Sequence, residues 1–167
     1  MTVFNLPDLL ASLGRDQRVI GIDPGARTIG LALSDVRRRL ASPYGKLKRG
    51  KLSVNATEIA AIALREGAYA LVVGLPLSMD GTIGPAAQAA RDWTHALSAA
   101  TGLPAALWDE RLSSAAVNRF LIGADVSRAK RAQAVDRAAA TWILQAALDA
   151  GSQPNDDVSG PQDVDHA

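Results

Sequence analysis

The chain has 167 residues, 18 Lys and Arg against 17 Asp and Glu, two His and no Cys. That length suits one domain with a sizeable core, and the absence of Cys excludes disulfides, thiolate metal sites and Cys nucleophiles. No apolar run is long enough to cross a bilayer and no signal-peptide pattern opens the chain, so a cytoplasmic, soluble protein is expected.

In chain order, Arg18-Val-Ile-Gly-Ile-Asp23 is a short apolar run closed by Pro24-Gly25, and reads as a buried strand. Thr28–Ser34 is a second strand, near enough to pair with the first as a hairpin. A third, around Leu40–Leu47, contains Pro43 and belongs at a sheet edge. Ala56–Glu66 has helical composition, stopped by Gly67. Ala70–Leu75 is a continuous apolar run suited to a central strand covered on both faces. Residues 85–100 form an Ala-rich helix closed by Gly102, and Pro104–Trp108 a fifth strand. Ser113 or Ser114 caps a helix to about Leu121, and residues 128–149 form the last helix, ended by Gly151. Strands first, then alternating helices and strands, predict an α/β fold: a mixed five-stranded sheet with helices on both faces.

Charge divides the chain. Residues 151–167 hold four Asp and no Lys or Arg, which leaves 18 basic against 13 acidic side chains in residues 1–150. The tail is expected to be a disordered acidic extension of a folded domain over 1–150. Seven cations lie between Arg37 and Lys51, a cluster suited either to a polyanion or to plain solvation.

Three acids carry the informative chemistry. Asp23 ends the first strand and Glu110 follows the fifth, beside Asp109. If those strands run parallel and close, their carboxylates meet at the end of the sheet where ligands gather. Asp136 lies among small apolar residues of the last helix. Convergent carboxylates repel unless cations neutralise them, and an oxygen donor set suits Mg²⁺ or Mn²⁺. Each acid also has an ordinary reading, as a turn, cap or ion-pair residue.

Four segments, in order, resemble the YqgF/RuvX family of Holliday-junction-resolvase-like nucleases. They are Val19-Ile-Gly-Ile-Asp-Pro-Gly through Asp35, Val72-Val-Gly-Leu-Pro through Thr82, Trp108-Asp-Glu-Arg-Leu-Ser-Ser114, and Val135-Asp-Arg-Ala through Gln145. The resemblance implies a ribonuclease-H-like fold and metal-dependent phosphodiester hydrolysis, in processing of pre-16S rRNA or resolution of branched DNA. It implies Asp23, Glu110 and Asp136 as catalytic and metal-holding residues. Gly25 and Gly30 would permit close backbone approach. Arg27 and Arg111 would hold phosphate through the guanidinium fork, or Arg111 would pair with a carboxylate. Lys130 and Arg131 would contact the backbone of a nucleic acid, pre-rRNA or branched or single-stranded DNA. Cutting both strands of a junction would call for a homodimer.

Other schemes are weaker. His95 stands alone on a helix, without a nucleophile elbow, and no P-loop string exists. Asp23-Pro-Gly also resembles the first phosphate loop of actin-like kinases, but the chain is too short for their two lobes. A non-catalytic RNA- or protein-binding factor on the same fold remains the alternative.

Overall fold

A computed structural model describes residues 3–77, 80–111 and 128–152, by backbone alone over 128–138 and at 152. Six strands form one sheet: β1 (Val3–Phe4), β2 (Arg18–Pro24), β3 (Thr28–Ser34), β4 (Ala41–Lys48), β5 (Ala68–Leu75) and β6 (Ala105–Asp109). Their spatial order is β1-β6-β5-β2-β3-β4. β1, β6, β5 and β2 run parallel, and β3 and β4 complete an antiparallel meander. The expected mixed sheet is present, and Pro43 does lie on an edge strand, where its missing N–H costs no ladder bond.

Among the described residues four helices accompany the strands: α1 (Leu6–Ala11), α2 (Leu52–Glu66), α3 (Pro85–Thr101) and α4 (Arg128–Ser152). α1 and α4 cover one face, through Leu6, Leu9, Ile143, Leu144 and Leu148. α2 and α3 cover the other, through Ile59, Ile62 and Leu97. Gly67 and Gly102 end α2 and α3 in the left-handed conformation, at φ 71° and 74°, as their positions predict.

Three features depart from the sequence expectation. The sheet has six strands rather than five, because Val3–Phe4 pairs with Ala105–Ala106. A two-residue strand shows no periodicity. The α1 that follows is marked by an Asn5 cap, whose Oδ1 accepts from the Asp8 N–H at 2.8 Å. Gly151 does not end the last helix but lies inside it, where an added Cβ would collide with the Leu10 side chain. Its smallness serves packing against α1. The helix expected from Ser113 or Ser114 to Leu121, and all of the acidic tail beyond Ser152, lie outside the described residues.

Candidate active site

β5 lies between β2 and β6, so the ends carrying Asp23 and Asp109-Glu110 are about 10 Å apart across the sheet. Gly74 of β5 closes that gap. A Cβ on Gly74 would come within 2.9 Å of Glu110 Cγ and 3.1 Å of its Oε1, so the glutamate crosses β5 through space that a side chain would fill. It reaches Asp23 and hydrogen-bonds to it. Burial first, then that bond and the charges of Asp23 and Asp109, push Glu110 up to about 7. Without a cation, a proton shared between the two carboxyls relieves their repulsion.

The adjacent acid is treated in the opposite way. Asp109 faces the Arg111 guanidinium in a two-point fork, Nη2 to Oδ2 at 2.6 Å and Nε to Oδ1 at 3.0 Å. It also accepts the Arg111 backbone N–H at 3.0 Å. These bonds hold its carboxyl below the usual carboxylate range. Arg111, 37% exposed at its side chain, lies beside Gly81, where an added Cβ would meet its guanidinium at ordinary contact distance, 3.5 Å. The carboxylate-pairing alternative for Arg111 is therefore present. Asp80, in the same loop, accepts from the Thr82 N–H and hydroxyl at 3.0 and 2.7 Å and adds its charge beside Arg111.

The turn that presents Asp23 is clamped from the β4 side. Gly25 has no room for a Cβ against the Thr28 carbonyl. The Arg49 guanidinium donates to the Pro24 and Gly25 carbonyls at 3.3 and 3.0 Å, and its backbone N–H to the Arg27 carbonyl at 3.0 Å. It lies over the Trp93 ring, 5.1 Å from the centroid. Beyond this turn an open cleft of about 680 Å³ runs across β3 to β4, bordered by Asp23, Arg27, Thr28, Gly30, Pro43 and Lys46. Arg27 is exposed on its rim.

α4 lies directly on this end of the sheet. A Cβ on Gly30 would sit 3.5 Å from Asp23 Cβ and 3.6 Å from Ala140 Cβ, and one on Gly21 only 2.6 Å from Leu144 Cβ. Asp136 lies in α4, four residues before Ala140. The side chains of Asp136, Lys130 and Arg131 lie outside the described residues, as do Ser113 and Ser114. Among the described residues no group of three metal-ligating side chains occurs, and Asp23 with Glu110 supplies two. His95 is exposed on α3.

Sequence reasoning missed the parts played by Gly74 and Arg49. A glycine inside a run of Leu and Val was the available signal for Gly74. Nothing local distinguishes Arg49 from the other cations of its cluster.

The family described as "RuvX: Holliday junction resolvase" matches residues 17–150. A protein of Acidiphilium cryptum named "Putative pre-16S rRNA nuclease" is 66% identical over 154 residues, 92% of this chain and 98% of its own. One of the same name from Gluconacetobacter diazotrophicus is 64% identical, over 92% of this chain and all of its own length. Among solved structures, T. thermophilus RuvC in complex with a Holliday junction substrate superposes with a TM-score of 0.51 at 18% identity, covering 80% of this chain and 94% of that one. That likeness shows a ribonuclease-H-like fold. By the family match over residues 17–150 and by identity to these relatives, the chain belongs to the RuvX (YqgF) family.

Proposed function

We propose that Asp23, Glu110 and Asp136 form the acidic centre of a nuclease that hydrolyses phosphodiester bonds. The observation that carries this reading is the meeting of Asp23 and Glu110 across the gap left by Gly74. Two carboxyls held in contact and partly buried are stable only with a shared proton or with cations, and their oxygens suit Mg²⁺ or Mn²⁺. Asp23 and Glu110 would hold the metal, with Asp136 as a third ligand from α4. Its place one turn before Ala140, which abuts Gly30 beside Asp23, supports that role. A bound pair of such ions supplies water activation and neutralises charge on the phosphate and the leaving oxygen.

The chain's own groups orient the substrate. Arg27, on the rim of the cleft, is placed to take a phosphate oxygen pair. Arg111, part-exposed at its side chain and held in plane by Asp109, is assigned to a second phosphate contact. Lys130 and Arg131, at the start of α4, are assigned to backbone phosphates flanking the cut. Pre-16S rRNA as substrate rests on the names of the relatives, and branched DNA on the family description. Resolution of a junction needs two such centres, hence a homodimer, whereas trimming one RNA end needs one.

Cleavage of labelled precursor RNA and junction DNA with Mn²⁺, by wild type and Asp23→Asn in parallel, tests the reading. Asp23→Asn keeps the shape and removes a ligand charge, so cleavage is expected to vanish while binding persists. Equal cleavage by both proteins would reject the site. Binding without any wild-type cleavage would favour a non-catalytic factor.

A further inference from the structure

The cations between Arg37 and Lys51 are not equivalent. Arg38 spends its guanidinium on the Gly14 and Gln17 carbonyls at 3.1 and 2.6 Å, and Arg49 on the turn after Asp23. Lys46 and Lys48 differ: both are exposed on the edge strand β4, and among the described residues neither forms an ion pair. Their direction follows from register. Lys46 is paired with Gly30 and Lys48 with Thr28, and Gly30 is paired on its other side with Asp23. Cross-strand partners share a face. The side of Gly30 from which a Cβ would rise faces Asp23 Cβ and Ala140 Cβ. Lys46 and Lys48 thus rise from the face that carries Asp23, and Lys46 borders the same cleft.

On this face only Gly30 of β3, with Ala140 of α4 beside it, stands between Asp23 and Lys46, which are about two strand spacings or 10 Å apart and border one open cleft. Lys46 and Lys48 are themselves about 7 Å apart along the strand. That step is comparable to the distance between successive phosphates of one nucleic-acid strand.

We propose that Lys46 and Lys48 form a phosphate track along β4 that grips a single-stranded stretch of nucleic acid to one side of the bond cut at Asp23 and Glu110. The proposal rests on the nuclease reading and adds the path of the strand. Its competitor is that edge lysines merely prevent strand pairing between copies of the chain.

The test measures fluorescence anisotropy of labelled oligouridylate and oligothymidylate with the full chain, in chelator, over a salt series. Lys46→Gln/Lys48→Gln is expected to weaken binding roughly tenfold and to lower the slope of log affinity against log salt by about 1.4, or 0.7 for each lost contact to a single strand. Arg37→Gln/Arg39→Gln, at the opposite end of β4, should leave the slope unchanged. In cleavage assays the lysine variant should raise KM more than it lowers kcat. Both lysines are exposed, so an unchanged melting curve is expected to show the variant folded. An unchanged slope, with wild type still binding and cutting, overturns the track and leaves the nuclease reading standing. A shift toward dimers with an unchanged slope also overturns it, in favour of edge protection. A lysine-dependent slope in a chain that never cuts would uphold the track and reject the nuclease.

Discussion

The two faces of the sheet are covered by helices on different terms. Toward α2 and α3 the strands present Ile20 and Ile22 of β2, Ile29 and Leu31 of β3, and Leu71 and Val73 of β5, packed against Ile59, Ile62 and Leu97. Toward α4 the same three strands present Val19, Gly21 and Asp23, then Gly30 and Ala32, then Ala70, Val72 and Gly74. Large side chains hold α2 and α3 off the sheet, whereas glycines admit α4 almost to the backbone. The acids occupy the glycine side. One face of the strands is therefore bulky, and the other trades strand bulk for close placement of Asp23, Glu110 and the helix that carries Asp136.

That contrast can be broken from either side. Ile59→Ala, on the bulky face, should cost about 2–5 kcal/mol of stability through lost burial and a cavity. Below its melting temperature, cleavage per folded molecule should match wild type. Gly21→Ala should cost less stability, about 1–3 kcal/mol of overpacking, because the new Cβ meets Leu144 Cβ at 2.6 Å and the Ala140 carbonyl at 3.1 Å. It should nevertheless reduce cleavage on the order of a hundredfold, since a small displacement of α4 spoils the acid geometry. Calorimetry with single-turnover cleavage separates the two. Equal rate losses would show that the faces do not divide the work in this way.

A smaller effect concerns the electrostatic cost of the glycine face. Glu110 is raised to about 7 in the fold, against 4.5 for an ordinary glutamate, so the folded state holds its proton more tightly than the unfolded state. Its contribution is fully present below about pH 4.5 and is lost as pH rises through about 7. Metal-free protein should therefore melt at lower temperature above neutrality than at pH 5, by on the order of 1–2 kcal/mol after discounting the half-open surroundings. Glu110→Gln should flatten that dependence. Mn²⁺ added above pH 7 should restore the melting temperature of wild type by mass action, and not that of the variant. A wild-type curve that is flat without metal would mean that the two carboxyls are not in contact in solution.

What was legible in the sequence follows the same division. Strands β2 to β6 and helices α2 and α3 declare themselves by apolar runs, alternation and terminal glycines, which are local signals. The juxtaposition of Asp23 and Glu110 was conditional, because strand order β6-β5-β2 is a non-local fact that neither motif contains. The run Ala70–Leu75 reads as buried on both faces, but its alternation of large and small is what matters, and it becomes meaningful only once α4 is known to lie on the small side. The phosphate roles proposed for Arg27 and Arg111 come from the family resemblance together with guanidinium chemistry. That Asp109 would fork Arg111, and that Arg49 would clamp the Asp23 turn, depended on contacts across the turn or between strands.

The same limit applies to glycines that look alike on the page. Gly67 and Gly151 each follow a helical stretch, and each reads as a stop. Gly67 does stop its helix: its φ is +71°, nothing lies within 4 Å of an added Cβ, and its N–H caps the Ala63 carbonyl. Gly67→Ala should cost about 1–2 kcal/mol, wholly from forcing an L-residue into the left-handed region. Gly151 is helical and close to Leu10 of α1, so two opposed terms meet there. An alanine gains up to about 0.5–1 kcal/mol of helix preference, less near a helix end, while its methyl group displaces the tip of Leu10. Because a flexible side-chain end can swing aside, Gly151→Ala should change stability by less than about 0.5 kcal/mol in either direction. Denaturant melts of the two single variants and of Gly151→Ala/Leu10→Ala check this. In the double variant the clash is gone and only the helix term remains, so the Gly→Ala step should become stabilising there. A Gly151→Ala loss as large as that of Gly67→Ala, and undiminished in the Leu10→Ala background, would mean that the end of α4 turns at Gly151 after all.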